Sequence, residues 1–353
     1  MKKRSIILSG ILAFSLAFTS GCTSLGSGKT KEVAKAPAQS SQSAAKPDNK
    51  AEIVLKVSYG QPSSNPRHIA ADMFAKWINE QSKGKVKLEL YPAEVLGTDK
   101  QMTEAISMGT MDMVITSQGI LAGYEPKLAV FELPFLFSSV DKVGQLLDGP
   151  VGQEIVKDLP EKKGMRLLAY WENGIRQITN SKRPIEKVED LKGLKIRTPE
   201  NKMTLSIFKA LGSSPAPLAF PELYLALSQG VFDGQENPIS GIYSAKLQEV
   251  QKYISITNHK YEPQPLVISE AVWKNLPADV QKLLQEGAVK FAKEHRRMVA
   301  EMESKQLAEF EASGMKVSRP DITPFREATK SVYAEWEKTL GKDLVDKVIA
   351  GAK

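Results

Sequence analysis

The pattern of apolar and polar residues has the two-residue period of a strand in some segments and the longer period of a helix in others. An apolar, β-branched run at Ile53–Tyr59 predicts a strand. Asn65 and Pro66 predict a helix start, because Asn is a good N-cap and Pro suits the first helical position. Read in the same way, the next elements are a strand at 86–90, a helix at 99–108 and a strand at 111–115. This β-α-β-α-β order predicts parallel strands with helices packed on their faces.

A second group of elements of the same character begins after Gly164. The patterns predict strands at 165–171, 176–179 and 194–197, and helices at 202–211, 221–229 and 239–251. They continue with a strand at 253–257 that returns to the first group, and one long helix or two in succession at 277–313. Two groups joined more than once form a hinge.

The length of the patterned region predicts two lobes. About 300 residues follow position 50, which is more than one hydrophobic core usually serves. We place lobe 1 at 51–172, with 258–353 returning to it, and lobe 2 at 173–257. A cleft is expected between them.

The first residues have the order of an export signal. Lys2, Lys3 and Arg4 precede a short apolar stretch and a small-residue end, so 1–21 is interpreted as a lipoprotein signal peptide. Cys22, the only cysteine, follows Gly21 and is expected to carry the lipid. Because Thr19 stands where a lipobox usually has Leu, ordinary cleavage or an uncleaved anchor stays open.

Residues 22–50 contain almost nothing that a core could bury, which is typical of a flexible tether. The formal net charge of +7 lies mostly in these N-terminal parts: the signal contributes +3, the tether +3 and the remaining chain +1. A nearly neutral body argues against a nucleic-acid partner, whose phosphates must be neutralised.

Enzymatic chemistry finds little support in the sequence. His68, His259 and His295 are far apart, with no cysteine or carboxylate at metal-ligand spacing, so no metal is expected. A Gly-x-Ser-x-Gly elbow is absent, and a lipidated Cys22 cannot be a nucleophile. No cofactor is expected either.

Two arginines stand at predicted strand ends, Arg176 and Arg197. A guanidinium group offers a planar fork of donors that fits a carboxylate, and side chains at strand ends in an open α/β sheet face the usual ligand crevice. The alternative is that each arginine forms a structural ion pair with an acid such as Glu200 or Glu172.

Four motifs in the second group resemble those of the DctP-type solute receptors of TRAP (tripartite ATP-independent periplasmic) transporters. Supporting similarity extends over most of residues 53–340. The motifs are Gly193-Leu194-Lys195-Ile196-Arg197-Thr198-Pro199, Ala210-Leu211-Gly212 with Pro217, Phe220-Pro221-Glu222-Leu223-Tyr224 and Gly230-Val231-Phe232-Asp233-Gly234-Gln235-Glu236-Asn237-Pro238.

The resemblance implies an α/β, two-lobed periplasmic-binding-protein-like fold, type II-like, with a hinge, an interlobe cleft and long helices spanning the lobes. It also implies that Arg197 makes the main salt bridge to the ligand carboxylate and that Arg176 supports it or binds a second oxygen. The further binding residues that it suggests are Asn237 as an amide donor, Phe220 as a pocket wall, and Trp171 and Gln118 more loosely. For Trp171 and Phe220 a plain core position is the alternative, and for Gln118 a polar turn position.

Differences between subgroups of this receptor family narrow the range of expected ligands. Ser117 and Glu200 stand where sialic-acid receptors of this type carry an acid and an amide, so sialic acid is not expected. The segments 170–174 and 242–244 are more similar to those of C4-dicarboxylate receptors, which makes a C4-dicarboxylate the favoured ligand. Uronates and other sugar acids stay open because they use the same arginine.

The resemblance implies an extracytoplasmic receptor that carries a small carboxylate to two TRAP permease subunits without an ATPase. We expect a monomer that is attached to the membrane only through its lipid, on the cell membrane or in the periplasm. A rival hypothesis is an enzyme that acts on small acids, with Glu200 or Glu222 as the base. Another is a binding protein that serves a sensor.

Overall fold

The computed structural model describes residues 51–137 and 140–352. The predicted signal peptide, the tether and Cys22 lie outside the described residues. Among the described helices, none combines the length and the apolar character that a bilayer crossing requires.

The first five elements alternate as predicted. They are β1 (Ile53–Tyr59), α1 (Pro66–Gln81), β2 (Val86–Tyr91), α2 (Asp99–Ser107) and β3 (Met113–Ile115). β1 pairs in parallel with both β2 and β3, which confirms the predicted parallel arrangement. The predicted cap of α1 is also confirmed, because the Asn65 side chain accepts a hydrogen bond from the backbone N–H of Arg67.

Short helices lead from β3 to the next strand. They are α3 (Gln118–Leu121), a 3₁₀ helix (Pro126–Glu132), α4 (Val140–Leu147), α5 (Pro150–Val156) and α6 (Leu159–Lys163).

The predicted strands at 165–171 and 176–179 form one strand, β4 (Met165–Asn180), so the predicted break is wrong. Pairing with a later strand continues through register shifts, one of them between Glu172 and Gly174. Gly174 has a φ of +122°, which residues with a side chain rarely adopt, so glycine permits a bulge where the sequence suggested an end.

The elements that follow β4 form the rest of the sheet and its helical cover. They are a 3₁₀ turn (Val188–Leu191), β5 (Lys195–Thr198), α7 (Lys202–Ala210), β6 (Ser214–Pro217), a 3₁₀ turn (Phe220–Glu222), α8 (Leu223–Ser228), β7 (Gly234–Pro238), α9 (Ile239–Ser244), a 3₁₀ turn (Leu247–Glu249), β8 (Tyr253–Ser269), α10 (Glu270–Asn275), α11 (Ala278–Ala312), β9 (Lys316–Ser318), α12 (Thr323–Ala328), α13 (Lys330–Leu340) and α14 (Lys342–Ala352).

Three elements differ in extent from their predictions. The helix predicted at 239–251 ends at Ser244, because Lys246 adopts a left-handed backbone that a helix cannot contain. The strand predicted at 253–257 continues to Ser269. The region 277–313 is a single helix, α11, rather than two.

The strands form one sheet in the order β2-β1-β3-β8-β4-β7-β5-β6, with β9 beside β8. The long strands β4 and β8 pair antiparallel and join a parallel group, β1 to β3, to a second group, β5 to β7. Leu284 and Phe291 of α11 pack in the core under the first group, whereas Phe310 of the same helix packs with α8 and α9. This is the predicted two-lobed α/β fold with a helix spanning both lobes. The residue boundaries of the lobes stay a prediction.

Candidate functional site

The candidate site is a small cavity of about 50 Å³ beside the central strands, where the two strand groups meet. Part of its wall comes from the middle of β4 and β8. The rest comes from the carboxyl ends of other strands and the segments after them, which is where ligands of open α/β sheets usually bind. The lining residues are Gly60, Gln61, Arg67, Glu94, Asp99, Ser117, Asn173, Arg176, Arg197, Pro199, Phe220, Asn237, Glu262 and Gln264.

A larger cavity of about 840 Å³ lies between the segment after β3 and helices α7 and α13. No arginine lines it, whereas three arginines line the small cavity. A further cavity of about 60 Å³ shares Lys100 and Glu200 with the large one and Arg197 with the small one. We therefore place the site by its chemistry in the small cavity, not by volume in the large one.

Arg197 is a buried cation, with 2% of its surface exposed. Its Nε and Nη2 donate to the carbonyl oxygen of Leu218 at 2.9 and 2.6 Å, and no acid of the described residues forms an ion pair with it. Burial lowers the pKa of Arg197 to about 10. A buried charge without a counter-ion is costly, so the position suits an anion that arrives from outside.

Arg176 differs from Arg197 because the protein itself neutralises it. Its guanidinium group pairs with the buried carboxylates of Glu236 and Glu262, and Nη2 donates to the backbone carbonyl oxygen of Glu236 at 2.6 Å. Burial would lower the pKa of Arg176, but the two carboxylates outweigh it and the pKa is raised. For Arg176 the structural ion pair is thus present, with Glu236 and Glu262 and not with Glu200 or Glu172.

Asn237 and Phe220 both line the cavity, as the resemblance implied. The Oδ1 of Asn237 accepts from Arg176 at 3.1 Å, and its Nδ2 donates to Gln235. The Phe220 ring lies 5.9 Å from the guanidinium carbon of Arg197. Their ligand contacts stay predictions.

Trp171 and Gln118, which the resemblance suggested more loosely as binding residues, do not line the small cavity. Trp171 lies in the core under the first strand group, where its indole N–H donates to the carbonyl oxygen of Ala288 at 3.1 Å. The side chain of Gln118 turns to the backbone, and its Nε2 donates to the carbonyl oxygen of Leu128 at 2.8 Å. Trp171 thus has the core position that was its alternative, whereas Gln118 is the buried first residue of α3.

Four lining residues that the sequence analysis missed carry buried polar atoms without a partner in the described chain. These atoms are Arg67 Nε, Glu94 Oε2, Asp99 Oδ1 and Gln264 Oε1. Burial raises the pKa of Glu94 to about 8 and that of Asp99 to about 6. The positions of Arg67 and Asp99, each after a strand and in the first turn of a helix, were the signal that could have revealed them.

Glu262 of β8 connects these groups. Its carboxylate accepts from Ser117 Oγ at 3.1 Å and from Asn173 Nδ2 at 2.7 Å, and it pairs with Arg176. The amine of Lys260 lies 4.0 Å from it and 2.6 Å from Glu132. Glu262 thereby joins the polar groups of the segment after β3 and those of β4 in one buried network.

Asn201 links the second strand group to the segment after β3. Its Nδ2 donates to Glu132 Oε1 at 2.7 Å, and its Oδ1 caps α7 through Thr204 N–H at 3.1 Å. A Cβ at Gly119 would lie 2.2 Å from Asn201 Nδ2, closer than such atoms approach. Only glycine admits this contact.

We expect Gly119→Ala to lower the free energy of unfolding by about 1–3 kcal/mol, because the methyl group displaces Asn201 from both hydrogen bonds. Urea unfolding measures the change. Gly241→Ala is the matched control, since its Cβ would meet neighbours no closer than 3.7 Å. Equal stabilities of the two variants would contradict the tight contact.

Glu172 predicts a pH dependence of stability. Burial raises the pKa of this carboxyl from 4.5 to about 8, although the hydroxyl of Tyr261 donates to it at 2.8 Å. The folded protein therefore keeps a proton that the unfolded chain releases above pH 4.5. The stabilisation is complete below this pH and is lost as the pH rises towards 8, by about 1.4 kcal/mol per pH unit.

Unfolding of wild type and Glu172→Gln in urea between pH 5 and 8 tests this. We expect the variant to lose less stability across the range, because the amide keeps an acceptor for Tyr261 and releases no proton. Glu161→Gln, at an exposed position, is the control. Parallel curves for wild type and Glu172→Gln would exclude the assignment.

A cavity beside the central strands β4 and β8, with a buried arginine in its wall that forms no ion pair to a described acid, is typical of a binding site for small anionic solutes. The chain belongs to the DctP family, bacterial extracellular solute-binding protein family 7, which matches residues 57–339. The resemblance predicted from the motifs is thus confirmed, and members of this family serve as receptors.

Three similar proteins illustrate the family. An uncharacterised protein of Sinorhizobium fredii is 42% identical over 80% of this chain, which spans 52% of that protein. A TRAP periplasmic solute-binding protein of Polaromonas, solved with D-erythronate, is 36% identical with a TM-score of 0.81, covering 84% of this chain and 98% of that one. A counterpart from Sulfurospirillum deleyianum, solved with succinate, is 32% identical with a TM-score of 0.81, covering 85% and 99%.

Proposed function

We propose that this chain is a receptor for a small hydroxylated monocarboxylic acid, which it delivers to the permease subunits of a TRAP transporter. The observation that carries the proposal is Arg197, a buried guanidinium group with no ion pair to a described acid, in the wall of the small cavity. Its donors suit the ligand carboxylate. Closure of the lobes would exclude water and strengthen this contact.

The partnerless atoms of the wall favour hydroxyl groups on the rest of the ligand. Two of the four, Asp99 Oδ1 and Gln264 Oε1, are acceptor oxygens at neutral pH, whereas Glu94, with a pKa raised to about 8, keeps a proton there. Hydroxyl groups can donate to such oxygens, whereas a second carboxylate brings only acceptors. Leaving these oxygens without donors in a closed site would cost binding free energy. The D-erythronate bound by the Polaromonas protein has this combination of one carboxylate and several hydroxyl groups.

A C4-dicarboxylate, which the sequence analysis favoured, is the second candidate. One observation supports it: Arg67, like Arg197, is buried in the cavity wall without an ion pair to a described acid. Two such cations match the two charges of the succinate bound by the Sulfurospirillum protein.

The rival enzyme hypothesis finds less support. Neither Glu200 nor Glu222 lines the small cavity, and Glu200 lies 3.8 Å from Lys100. We further propose, from the sequence alone, that residues 1–21 direct export and that Cys22 carries a lipid. A transporter partner rather than a sensor follows from the TRAP receptors that the chain is similar to.

Thermal unfolding of residues 51–353 with D-erythronate, succinate and butanoate tests the proposal, because a ligand that binds only the folded protein stabilises it. We expect D-erythronate to raise the unfolding temperature most and butanoate least. A larger shift with succinate would select the second candidate. Stabilisation by butanoate equal to that by D-erythronate would overturn the role of the hydroxyl groups. Recovery of a chemically changed acid after incubation would favour an enzyme.

A further inference from the structure

Arg67 enters the candidate site from a different element than Arg197 does. It stands at the second position of α1, after Pro66, whereas Arg197 is on β5. Both line the small cavity, but only Arg197 also lines the neighbouring cavity of about 60 Å³. Arg67 therefore lies away from that second cavity, and 3% of its surface is exposed.

The contacts of Arg67 leave its charge unneutralised. Nη2 donates to Asn173 Oδ1 at 2.8 Å, while Nε is buried without a partner in the described chain. No described acid lies within ion-pair distance of it, in contrast to Arg176, which has two. Burial lowers the pKa of Arg67 to about 10, and Asp99 and Glu262 are the acids that act on it most.

Asp99 offers the complementary atom. Its Oδ2 accepts from the backbone N–H of Ser117 at 3.1 Å, whereas its Oδ1 is buried without a partner among the described residues. Arg67 Nε is a donor and Asp99 Oδ1 an acceptor. A hydroxyl group can accept from one and donate to the other, which satisfies both atoms at once. A second carboxylate would meet Arg67 favourably but would face the oxygen of Asp99.

We propose that Arg67 is the specificity-determining residue of the site, which selects acids that carry a hydroxyl group at the end away from the carboxylate. This inference deepens the proposed function and rests on it. Arg197 holds the carboxylate that all candidate ligands share, and Arg67 reads the part in which they differ. Because Asn173 holds the guanidinium of Arg67 and donates in turn to Glu262, the group is oriented before the ligand arrives.

Calorimetry with two ligands that have the same carbon chain tests the assignment. D-erythronate carries hydroxyl groups on its second, third and fourth carbons, and 2-hydroxybutanoate only on its second. We expect Arg67→Met to weaken D-erythronate binding about 10-fold or more, and 2-hydroxybutanoate binding less than about 2-fold. Arg197→Met should weaken both. Lys76→Met, at an exposed position of the same helix, is the control for both ligands.

The possible results separate the two hypotheses. Equal losses for the two ligands in Arg67→Met would overturn the selective role of Arg67 and leave the proposed function intact. A selective loss of succinate binding would instead assign Arg67 to a second carboxylate. If wild type bound neither hydroxy acid, the proposed function and this inference would both fail. Arg67→Lys keeps the charge. If a folded Arg67→Lys protein binds D-erythronate more tightly than Arg67→Met does, the result would support the contact. If both variants bind both ligands equally weakly, the result would argue for a structural role of Arg67.

Discussion

Replacing Arg197 by methionine is expected to weaken binding of the carboxylate ligand at least ~30-fold. Removing one partner of a buried, hydrogen-bonded charge pair costs ~2–5 kcal/mol, and each 1.4 kcal/mol is a factor of ten in affinity. Arg197, on β5, is buried and forms no ion pair with a described acid. Methionine keeps an apolar side chain of similar length, so the change removes the donors more than the packing. Isothermal calorimetry measures the affinity.

Two further variants sharpen this result. Arg197→Lys keeps the charge and loses the planar fork, so we expect an affinity between those of wild type and Arg197→Met. Arg319→Met, at an exposed arginine, should bind like wild type. Unchanged affinity in Arg197→Met would remove the basis of the proposed function.

Replacing Arg176 by methionine is expected to act on folding instead, lowering the free energy of unfolding by ~3–5 kcal/mol. Its guanidinium group lies between the carboxylates of Glu236 and Glu262, both of which are buried. Without the arginine these two acids would face each other with less positive charge nearby. Urea unfolding at pH 7 without ligand measures the loss.

A second substitution tests whether uncompensated charge causes the loss. Adding Glu236→Gln to Arg176→Met removes one of the two carboxylates, so we expect the double variant to recover part of the stability. Glu236 also accepts a hydrogen bond from His259 at 3.2 Å. The amide of the Glu236→Gln side chain can still accept this bond, but without a negative charge, so we expect the recovery to be incomplete. A double variant less stable than Arg176→Met would contradict the explanation. A stability of Arg176→Met close to that of wild type would show that the network contributes little.

Elements whose signals are local could be predicted from the order of the amino acids. The start of α1 could be predicted because Asn65 and Pro66 act on backbone groups within one helical turn. The parallel order of β1, β2 and β3 followed from the alternation of strands with helices. The motif around Arg197 led to the receptor family for the same reason, since a contiguous run of residues carries it.

Which arginine is free to meet a ligand depends on contacts between segments that are distant in the chain. Arg176 and Arg197 look alike in the sequence, but the acid that neutralises Arg176 from β8 is 86 residues away. Arg67 gave no sign of its place beside Asn173, from which 106 residues separate it. Trp171 was suggested more loosely as a binding residue, with the core as its alternative, and it packs against Phe74 in the core. Whether a side chain is paired, buried or exposed to a cavity depends on which distant segments meet there, and a pattern within one segment does not contain that information.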